Sequence, residues 1–344
     1  MDNTDTRVEL KDPTTSTTEK NIAETNLSDH TQTNEMIKNV SVVILNWNRK
    51  DNVLDCLSHI YQMDYPVYQV IVVDNASTDG SVDAIRKAYP EVILMDNDRN
   101  YGAPEGKNIG LRKALEDPAM DCVYMVDNDV VVAKDSLTEL MNVFDEIPDA
   151  GIVGAKMYDF SKPDILLSAG GTIDFTQNVS RGRGDREKDV GQYEQTEEVD
   201  YLWGGAMIAT REVLEKVGLF DSEYLGYWFE DSDLSVRVRK AGYRVIFCGK
   251  SKVWHRPHKT VEQFSYRKKY LATRNAIRFM KKHASATNWA KYLFYAVGGI
   301  PFALARDLIL RGTPMGAIGK TMGIIDGLLG RDEPARRMLN LAKK

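Results

Sequence analysis

The chain has 344 residues, of which 43% are hydrophobic. It is long enough for one large α/β domain with appendages or for two domains, and its composition predicts a sizeable core and excludes none of the globular classes. From Ser251 onward nineteen Lys and Arg stand against five Asp and Glu, so this part carries +14 of a net charge of −5 and residues 1–250 carry −19. A basic tail on an acidic body indicates an anionic partner surface, either nucleic acid or an anionic membrane.

Residues 1–38 are rich in Thr, Asn, Asp and Glu and contain no aromatic residue. They predict a disordered tail, because they cannot bury enough surface to offset the entropy of ordering. They also contain no apolar core, so we expect no signal peptide. The three cysteines, Cys56, Cys122 and Cys248, are far apart, and each lies in an apolar segment. Buried free thiols are therefore predicted, which favours a reducing compartment.

Residues 40–95 alternate between strand and helix patterns. Residues 40–45 are a strand by their β-branched content, and apolar residues at helical spacing follow between 53 and 61. A second strand at 69–73, a helix to about Ala88 and a third strand at 91–95 complete the succession. This βαβαβ order predicts a parallel sheet with right-handed crossovers, and it places ligands at the carboxyl ends of the strands.

Polar residues follow each of these strands. Asn46 and Asn48 come after the first strand, and Asp74 and Asn75 come after the second. Asn48 could equally be the N-cap of the next helix. After the third strand, residues 100–110 are dense in glycine and asparagine. Glycines of this density allow the backbone to approach a ligand closely, although a plain helix-entry loop is the alternative.

The stretch at 122–129 (CVYMVDND) is the most informative in the chain. Its apolar residues predict a buried strand that runs directly into Asp127 and Asp129. Two carboxylates at the rim of a sheet are hard oxygen ligands that suit Mg²⁺ or Mn²⁺ carrying a phosphorylated substrate. A solvated turn that closes the strand is the alternative.

The second half of the chain continues the α/β pattern, with strands at 150–157 and 244–248. Residues 176–200 are polar and turn-rich, which predicts a mobile surface loop. Glu230 and Asp231 form an acidic cluster beside three aromatic residues. Alternatively, they lie near a helix start because the helix dipole favours negative charge there. His255, just beyond the last strand, could be a ligand or a surface residue.

Beyond residue 262 the chain is helical and basic. Residues 292–305 are fourteen uncharged residues, fewer than the ~20 that span a bilayer, and Gly298, Gly299 and Pro301 should interrupt them. We expect interfacial helices or a re-entrant hairpin on an anionic cytoplasmic leaflet. The alternative is a helical subdomain that packs its apolar faces on the rest of the protein.

Taken together, the motifs resemble glycosyltransferase family 2, and most closely its rhamnosyltransferase-like members. The resemblance covers roughly residues 38–282. The matching segments are VSVVILNWN at 40–48, VVDNASTDGS at 72–81, the glycine and asparagine pattern at 100–110, DND at 127–129, WGGAM at 203–207, GLFD at 218–221, YWFEDSDL at 227–234, AGY at 241–243 and the segment at His255. The resemblance implies a GT-A fold: an α/β, Rossmann-like, mostly parallel sheet flanked by helices, here with a C-terminal helical extension.

The resemblance also implies a role for each matching residue. The nucleotide-sugar donor would be bound by Asn46, Asn48, Asp74, Asn75, Asn100, Gly102, Asn108, Asp127 and Asn128. The metal ion, Mn²⁺ or Mg²⁺, would be held by Asp127, Asp129 and His255. The acceptor subsite would be shaped by Trp203, Gly204 and Gly205. Asp231 would be the general base, with Glu230 as the runner-up. Trp47 and the pair Pro104-Glu105 depart from the family pattern, which leaves the donor's identity open.

The implied activity is an inverting, metal-dependent transfer of a sugar from a nucleotide-diphosphate donor to a hydroxyl of a glycan or lipid-linked acceptor, with rhamnose as the family-level expectation. The expected division is a tail at 1–38, a catalytic domain at 39–262 and a membrane-associating region at 263–344, with the protein on the cytoplasmic face of the membrane. Nucleic acid is not expected as a partner.

Three other classes of protein fit the sequence less well. A sugar-nucleotide pyrophosphorylase should carry a Gly-rich, basic loop after the first strand, and residues 46–51 are not such a loop. A dinucleotide-dependent oxidoreductase would place Gly-x-Gly-x-x-Gly there, which is absent. A non-catalytic carbohydrate- or membrane-surface-binding protein would need neither Asp129 nor Asp231.

Overall fold

The computed structural model describes residues 38–176, 179–226, 228–256 and 265–341. The predicted tail at 1–38 therefore lies outside the described residues, apart from Lys38. Lys38–Lys344 group as one compact unit. The predicted domain boundary at 262 and 263 stays a prediction, because it falls outside the described residues.

The strands are β1 (Val40–Asn46), β2 (Val67–Asp74), β3 (Ile93–Asp96), β4 (Cys122–Asp127), β5 (Val130–Val132), β6 (Ala150–Asp159), β7 (Lys162–Ser168), β8 (Gly171–Ile173), β9 (Ser180–Gly182), β10 (Glu197–Glu198), β11 (Ala206–Thr210) and β12 (Arg244–His255). The helices are α1 (Lys50–Ile60), α2 (Ser81–Ala88), α3 (Ala103–Leu115), α4 (Ser136–Glu146), α5 (Arg211–Val217), α6 (Glu230–Lys240), α7 (Tyr266–His283), α8 (Ala286–Gly298), α9 (Ile300–Arg311), α10 (Met315–Leu329) and α11 (Glu333–Met338).

Within the described residues the main sheet has the order β10-β12-β6-β11-β4-β1-β2-β3. β1 pairs in parallel with β2 and β4, and β2 pairs in parallel with β3. β11 is antiparallel to both of its neighbours, β4 and β6. The predicted α/β fold with a mostly parallel sheet is confirmed. The antiparallel β11 was not foreseen.

The central strands are buried on both faces. In β1, Val42 and Ile44 belong to one core cluster with residues of α1 and α4, while Val43 belongs to a second cluster with residues of α3, α5 and α6. This explains the unbroken apolar run of that strand, since a strand covered by helices on both sides does not alternate. The three cysteines are free and buried, as predicted.

One alternative and one local prediction are wrong. Asn48 is not the N-cap of α1, because Arg49 holds that position and the side chain of Asn48 accepts from the amide of Thr78 instead. The stretch at 176–200 is not simply a surface loop, because its described residues include β9 and β10. It is also anchored to β6, since the fully buried Lys156 forms ion pairs with Asp189 and Glu194.

The C-terminal helices divide into a packed part and an exposed part. α10 lies tightly against α7: a Cβ on Gly319 would be 2.5 Å from the carbonyl oxygen of Tyr266, and one on Gly323 would be 2.5 Å from that of Tyr270. The hydroxyl of Tyr270 donates to Asp326 at 2.8 Å. α10 therefore matches the alternative of a helical subdomain.

α8 and α9 are separated only by Gly299, so the predicted interruption is a single residue. Together they form a helical segment, Ala286–Arg311, of 26 residues, in which a stretch of 18 residues has a mean hydropathy of 1.5 and is 17% buried. By length and composition alone this segment could cross a membrane, which corrects the expectation that it falls short. Its exposed side includes Phe294, Phe302 and Ile309.

Candidate active site

The predicted donor-binding residues form a chain of hydrogen bonds across the carboxyl ends of β4, β1 and β2. The side-chain amide of Asn128 donates to Asn46 at 2.7 Å, and that of Asn46 donates to Asp74 at 2.8 Å. The other oxygen of Asp74 accepts from the amide of Ser77 at 2.7 Å. The register explains this arrangement, because Asn46 lies opposite Asp74 where the parallel strands end. Hydrogen bonds among its own side chains thus preorganise this edge of the sheet.

The same edge continues towards α3. Asn75 donates to Asn100 at 3.3 Å and to the carbonyl of Gly102 at 3.1 Å. Gly102 precedes α3 with a φ of 86°, a left-handed conformation that explains glycine at this position. These residues are brought together as predicted. Asn108 is different, because both of its polar atoms bond the backbone of Phe220 at 2.8 and 3.0 Å. Its donor-binding role stays a prediction.

The predicted metal ligands lie next to this edge. Asp129 follows β4 in the turn to β5, and β5 pairs with β12 so that Val130 faces His255. This places Nε2 of His255 3.3 Å from Oδ2 of Asp129. Burial alone would lower the pKa of His255, but the hydrogen bond and charge of Asp129 outweigh it and raise that pKa. Asp127 is turned instead towards Lys107, with 2.8 Å between Oδ1 and Nζ.

The donor set suits a divalent cation in its chemistry. Carboxylate oxygens and an imidazole nitrogen are ligands of Mn²⁺, and carboxylates also suit Mg²⁺. In the described residues, however, no group of three or more such side chains is already arranged around one point. The pair of Asp129 and His255 is in place, whereas Asp127 is engaged by Lys107. The three-ligand set therefore stays a prediction.

Lys107 is a functional candidate that the motif analysis did not single out. It is 8% exposed, and its ammonium donates to the carbonyl of Gly204 at 3.0 Å while pairing with Asp127. Burial would lower the pKa of Lys107, but Asp127 and Asp231 outweigh burial and raise it. Lys107 is therefore a permanent cation between the predicted metal side and the predicted base. Its position in the glycine- and asparagine-rich motif at 100–110 was the available signal.

The predicted base and the predicted acceptor subsite are joined by one peptide group. The amide of Gly204 donates to Oδ2 of Asp231 at 2.9 Å. A Cβ on Gly204 would collide with the carboxyl group of Asp231, so only glycine permits this approach. The backbone amide of Asp127 donates to the carbonyl of Gly205, the residue that follows Gly204, at 2.9 Å. Residues 203–205 thus connect both halves of the site.

Glu230 and Asp231 open α6 after two residues in the left-handed region, Trp228 (φ 63°) and Phe229 (φ 81°). Backbone strain of this kind in bulky residues often accompanies a functional site. Burial, together with Asp231, raises the pKa of Glu230 to about 8. Burial also raises the pKa of Asp231, whereas the positive charge of Lys107 lowers it. Oδ1 of Asp231 is shielded from solvent and has no hydrogen-bond partner among the described residues.

A cavity of about 360 Å³ lies over these carboxylates. Its lining includes Tyr201, Trp203, Trp228, Phe229, Glu230 and Asp231. The Trp203 ring also lies 6.1 Å from the His255 ring, centroid to centroid. The cavity therefore adjoins the predicted metal side, and its aromatic walls are typical of a sugar-binding surface. Trp228 and Phe229 are cavity residues that the motif analysis did not assign.

Replacement of Lys107 by methionine should shift the acid limb of the pH–rate profile to higher pH. The cation lowers the pKa of Asp231 and Glu230, so its loss raises both and leaves less of the carboxylate form at a given pH. The shift is measured from kcat/KM between about pH 5 and pH 9, a range that includes the pKa of about 8 for Glu230.

Lys113→Met is the matched control for this variant, because Lys113 lies on the same helix and pairs with Glu116 at the surface. It should leave the profile unchanged. An unshifted acid limb in Lys107→Met would show that Lys107 does not act on the carboxylates.

Comparison with solved structures assigns the fold to the GT-A class of glycosyltransferases. The crystal structure of GalNAc-T7 with UDP, GalNAc and Mn²⁺ matches 90% of this chain and 55% of that chain, with a TM-score of 0.59 and 16% identity. At this identity the likeness concerns the fold alone.

A family model described as glycosyl transferase family 2 matches residues 41–218, just over half of the 344 residues. The chain belongs to glycosyltransferase family 2. A second model, described as the N-terminal domain of galactosyltransferase, matches residues 189–269. The resemblance inferred from the motifs is confirmed.

Two curated relatives are similar to the chain. An N-acetylglucosaminyl-diphospho-decaprenol L-rhamnosyltransferase of Mycobacterium tuberculosis is 28% identical over 211 residues, which cover 54% of this chain. A low-salt glycan biosynthesis hexosyltransferase of Haloferax volcanii is 20% identical over 219 residues, which cover 62% of this chain. The chain spans 66% of the length of each of these relatives.

Proposed function

We propose that this protein is an inverting, metal-dependent glycosyltransferase that moves a sugar from a nucleotide-diphosphate donor to a hydroxyl group of a glycan or lipid-linked acceptor. The observation that carries the proposal is the position of Asp231. Its Oδ1, which has no hydrogen-bond partner within the described part of the chain, belongs to a side chain that lines an aromatic cavity, and Gly204 and Lys107 connect that side chain to Asp127.

The carboxylates divide the proton chemistry between them. Burial and Asp231 raise the pKa of Glu230 to about 8, which favours its protonated form, whereas Lys107 and the amide of Gly204 favour the charged form of Asp231. Asp231 takes the proton of the acceptor hydroxyl while the oxygen forms its bond to the anomeric carbon and the bond to the nucleotide diphosphate breaks. With one base and no second nucleophile called for, a single displacement would invert the anomeric carbon, by analogy with glycoside hydrolysis.

The other residues bind and orient the reactants. Asp129 and His255, with Asp127, would hold Mn²⁺ or Mg²⁺, which when bound supplies positive charge against the departing diphosphate. Asn46, Asp74 and Asn75 form the rigid edge for the nucleoside. Trp203 and Trp228 provide the walls against which an acceptor sugar can lie.

The relatives narrow the choice of substrates. One is named for rhamnosyl transfer to an N-acetylglucosaminyl-diphospho-decaprenol, so a rhamnosyl or other hexosyl donor and a lipid-linked acceptor are the first to test. A panel of deoxythymidine and uridine diphosphate sugars is incubated with Mn²⁺ and acceptor glycans, and nucleotide release and product mass are recorded. Sugar transfer supports the proposal. Formation of nucleotide sugar from a sugar phosphate would point to a pyrophosphorylase, and binding without turnover to a non-catalytic protein.

We also propose that the protein lies on the cytoplasmic face of a membrane and contacts it through α8 and α9. Phe302 and Ile309 are each 79% exposed, and Phe294 is 75% exposed. Tyr292 and Ala296 pack against the rest of the protein, and Arg306, Asp307 and Arg311 lie in the same helical segment. Any stretch of ~20 residues in this segment includes Lys291 or Arg306, and charged residues inside a bilayer are costly, so a helix at the interface fits the segment better than one that crosses.

The double variant Phe302→Glu/Ile309→Glu should no longer sediment with phosphatidylglycerol vesicles. The substitutions remove apolar surface from the contact and add negative charge that an anionic leaflet repels. Sedimentation of the full-length chain is the measurement. Substitutions are preferred to a deletion that begins at residue 289, because the deletion would also remove α10, which packs against α7.

Val190→Glu is the control, because Val190 is also 79% exposed but lies on a loop between β9 and β10. It should sediment like the unaltered protein. If the double variant sediments equally well, or the unaltered protein ignores the vesicles, the membrane contact is wrong.

A further inference from the structure

The residues just before the proposed base have a backbone conformation that their side chains disfavour. Trp228 and Phe229, which directly precede Glu230, have φ values of 63° and 81°. Bulky residues rarely adopt this left-handed region, and they stay in it only where the surrounding structure holds them. Release of this strain would turn the chain at the start of α6 and carry the carboxylate of Asp231 away from the amide of Gly204. Contacts from outside the segment are therefore needed to hold it.

Helix α7 supplies such contacts through a fully buried side-chain amide. Asn275 is 0% exposed, and its side-chain nitrogen donates to the carbonyls of Leu225 at 3.1 Å and of Trp228 at 3.3 Å. Its side-chain oxygen accepts from Arg274 at 2.9 Å. Arg274, which is 2% exposed, also donates to the carbonyl of Glu223 at 3.0 Å. Two adjacent residues of α7 thus hold three backbone carbonyls of the segment that leads into α6.

The same helix also holds the first turn of α6 beyond the proposed base. Asp233 is 0% exposed, and its Oδ1 lies 2.7 Å from Nε2 of His283 and 2.7 Å from Nζ of Lys282, both in the last turn of α7. Between these contacts, the ring of Phe229 lies 5.1 Å from the ring of Phe279, centroid to centroid. α7 therefore contacts the chain on both sides of the proposed base.

None of the matching sequence motifs lies on α7. We propose that Asn275 is a positioning residue for the transfer reaction: by holding the carbonyl of Trp228, it keeps the indole on the cavity wall and the carboxylate of Asp231 at the amide of Gly204. The proposal rests on the proposed function for the identity of the base. It adds the side chain that determines where the base lies, and it predicts that a change on α7 affects the use of the acceptor without affecting donor binding.

Two variants of similar size separate the hydrogen bonds of Asn275 from its volume. Asn275→Leu removes all of them. Asn275→Asp keeps the acceptor for Arg274, which also supplies a counter-charge, but lacks the N–H groups that hold Leu225 and Trp228. In both full-length variants kcat should fall by about 10- to 100-fold and the KM for the acceptor should rise, because a small displacement of a reacting group is costly. Affinity for UDP with Mn²⁺ should stay unchanged, since the donor-binding edge is built from β1, β2 and β4.

Hydrogen exchange resolved to single residues reports the position of the carboxylate without any turnover. The amide of Gly204 should exchange about tenfold faster in both variants, because it loses its charged acceptor. The amide of Asn75, which donates to the carbonyl of Asn46 at 2.8 Å, should exchange as before. This measurement does not depend on catalysis. It therefore decides the positioning role even if the unaltered protein transfers no sugar, a result that would count against the proposed function alone.

Ile277→Ala is the matched control, because Ile277 is equally buried on α7 but lies against Gly327 of α10. It should lower the melting temperature and leave kcat, the KM for the acceptor and the exchange of Gly204 unchanged. Unchanged exchange at Gly204 in both Asn275 variants, or unchanged acceptor kinetics in a protein that transfers sugar, overturns the proposal. A parallel loss of UDP binding also overturns it, because α7 would then support the whole fold rather than the base. A defect in Asn275→Leu alone would assign the effect to the contact with Arg274 and would overturn it as well.

Discussion

Replacement of Asp231 by asparagine should leave donor binding intact and reduce sugar transfer by about 10²–10⁴-fold, the usual loss for a general base. The amide keeps the shape of the side chain but cannot take the acceptor's proton. Its oxygen can still accept the hydrogen bond from the amide of Gly204, so the local structure should persist. Calorimetry with the nucleotide diphosphate and a transfer assay measure the two parts separately.

Glu230→Gln is the matched variant, because Glu230 is the adjacent carboxylate and lines the same cavity. Because burial and Asp231 raise the pKa of Glu230 and favour its uncharged form, the amide analogue should retain much more activity than Asp231→Asn. Near-normal turnover in Asp231→Asn with a large loss in Glu230→Gln would assign the base to Glu230.

Replacement of Asp129 by alanine should abolish metal-dependent donor binding. The side chain is 4% exposed and pairs with His255, so it is more deeply set than a carboxylate at the rim of a sheet. Its loss removes a hard oxygen ligand and the partner that orients the imidazole. Affinity for the nucleotide diphosphate, measured by calorimetry with and without Mn²⁺, should no longer depend on the metal.

Asp129→Asn is the isosteric variant. Because asparagine fills the same space, comparing it with Asp129→Ala separates the effect of lost charge from the effect of lost packing. Asp64→Ala, at an exposed position, controls for a general effect of charge. Unchanged Mn²⁺-dependent affinity in both Asp129 variants would remove this residue from the metal site.

The strand ends were the most predictable part of the site. An apolar run that stops at a polar residue shows where a parallel strand ends, and neighbouring parallel strands end at the same edge. Asn46, Asp74 and Asp127 could therefore be placed together from the sequence, and the register of β1 with β2 and β4 supports that placement. Here local pattern and global topology agree.

Contacts between distant segments could not be predicted in the same way. Lys107 looks like a surface lysine of a helix until the carbonyl of Gly204, 97 positions away, is brought to its ammonium. Asn108 looks like a ligand-binding amide until the backbone of Phe220 takes both of its polar atoms. The buried Lys156 likewise anchors a polar stretch that resembles a mobile loop. Such pairings depend on tertiary packing, which periodicity does not encode.

The contact between Gly204 and Asp231 limits which residues could be mutated to change the acceptor specificity. Any side chain at 204 would displace the carboxylate, so the main chain fixes the position of the predicted base, and a substitution of Gly204 would move it. Trp203 and Trp228 are 39% and 40% exposed and lie on the cavity wall. If the proposed function holds, libraries directed at these two tryptophans should change which acceptor sugar enters the cavity without moving the predicted base.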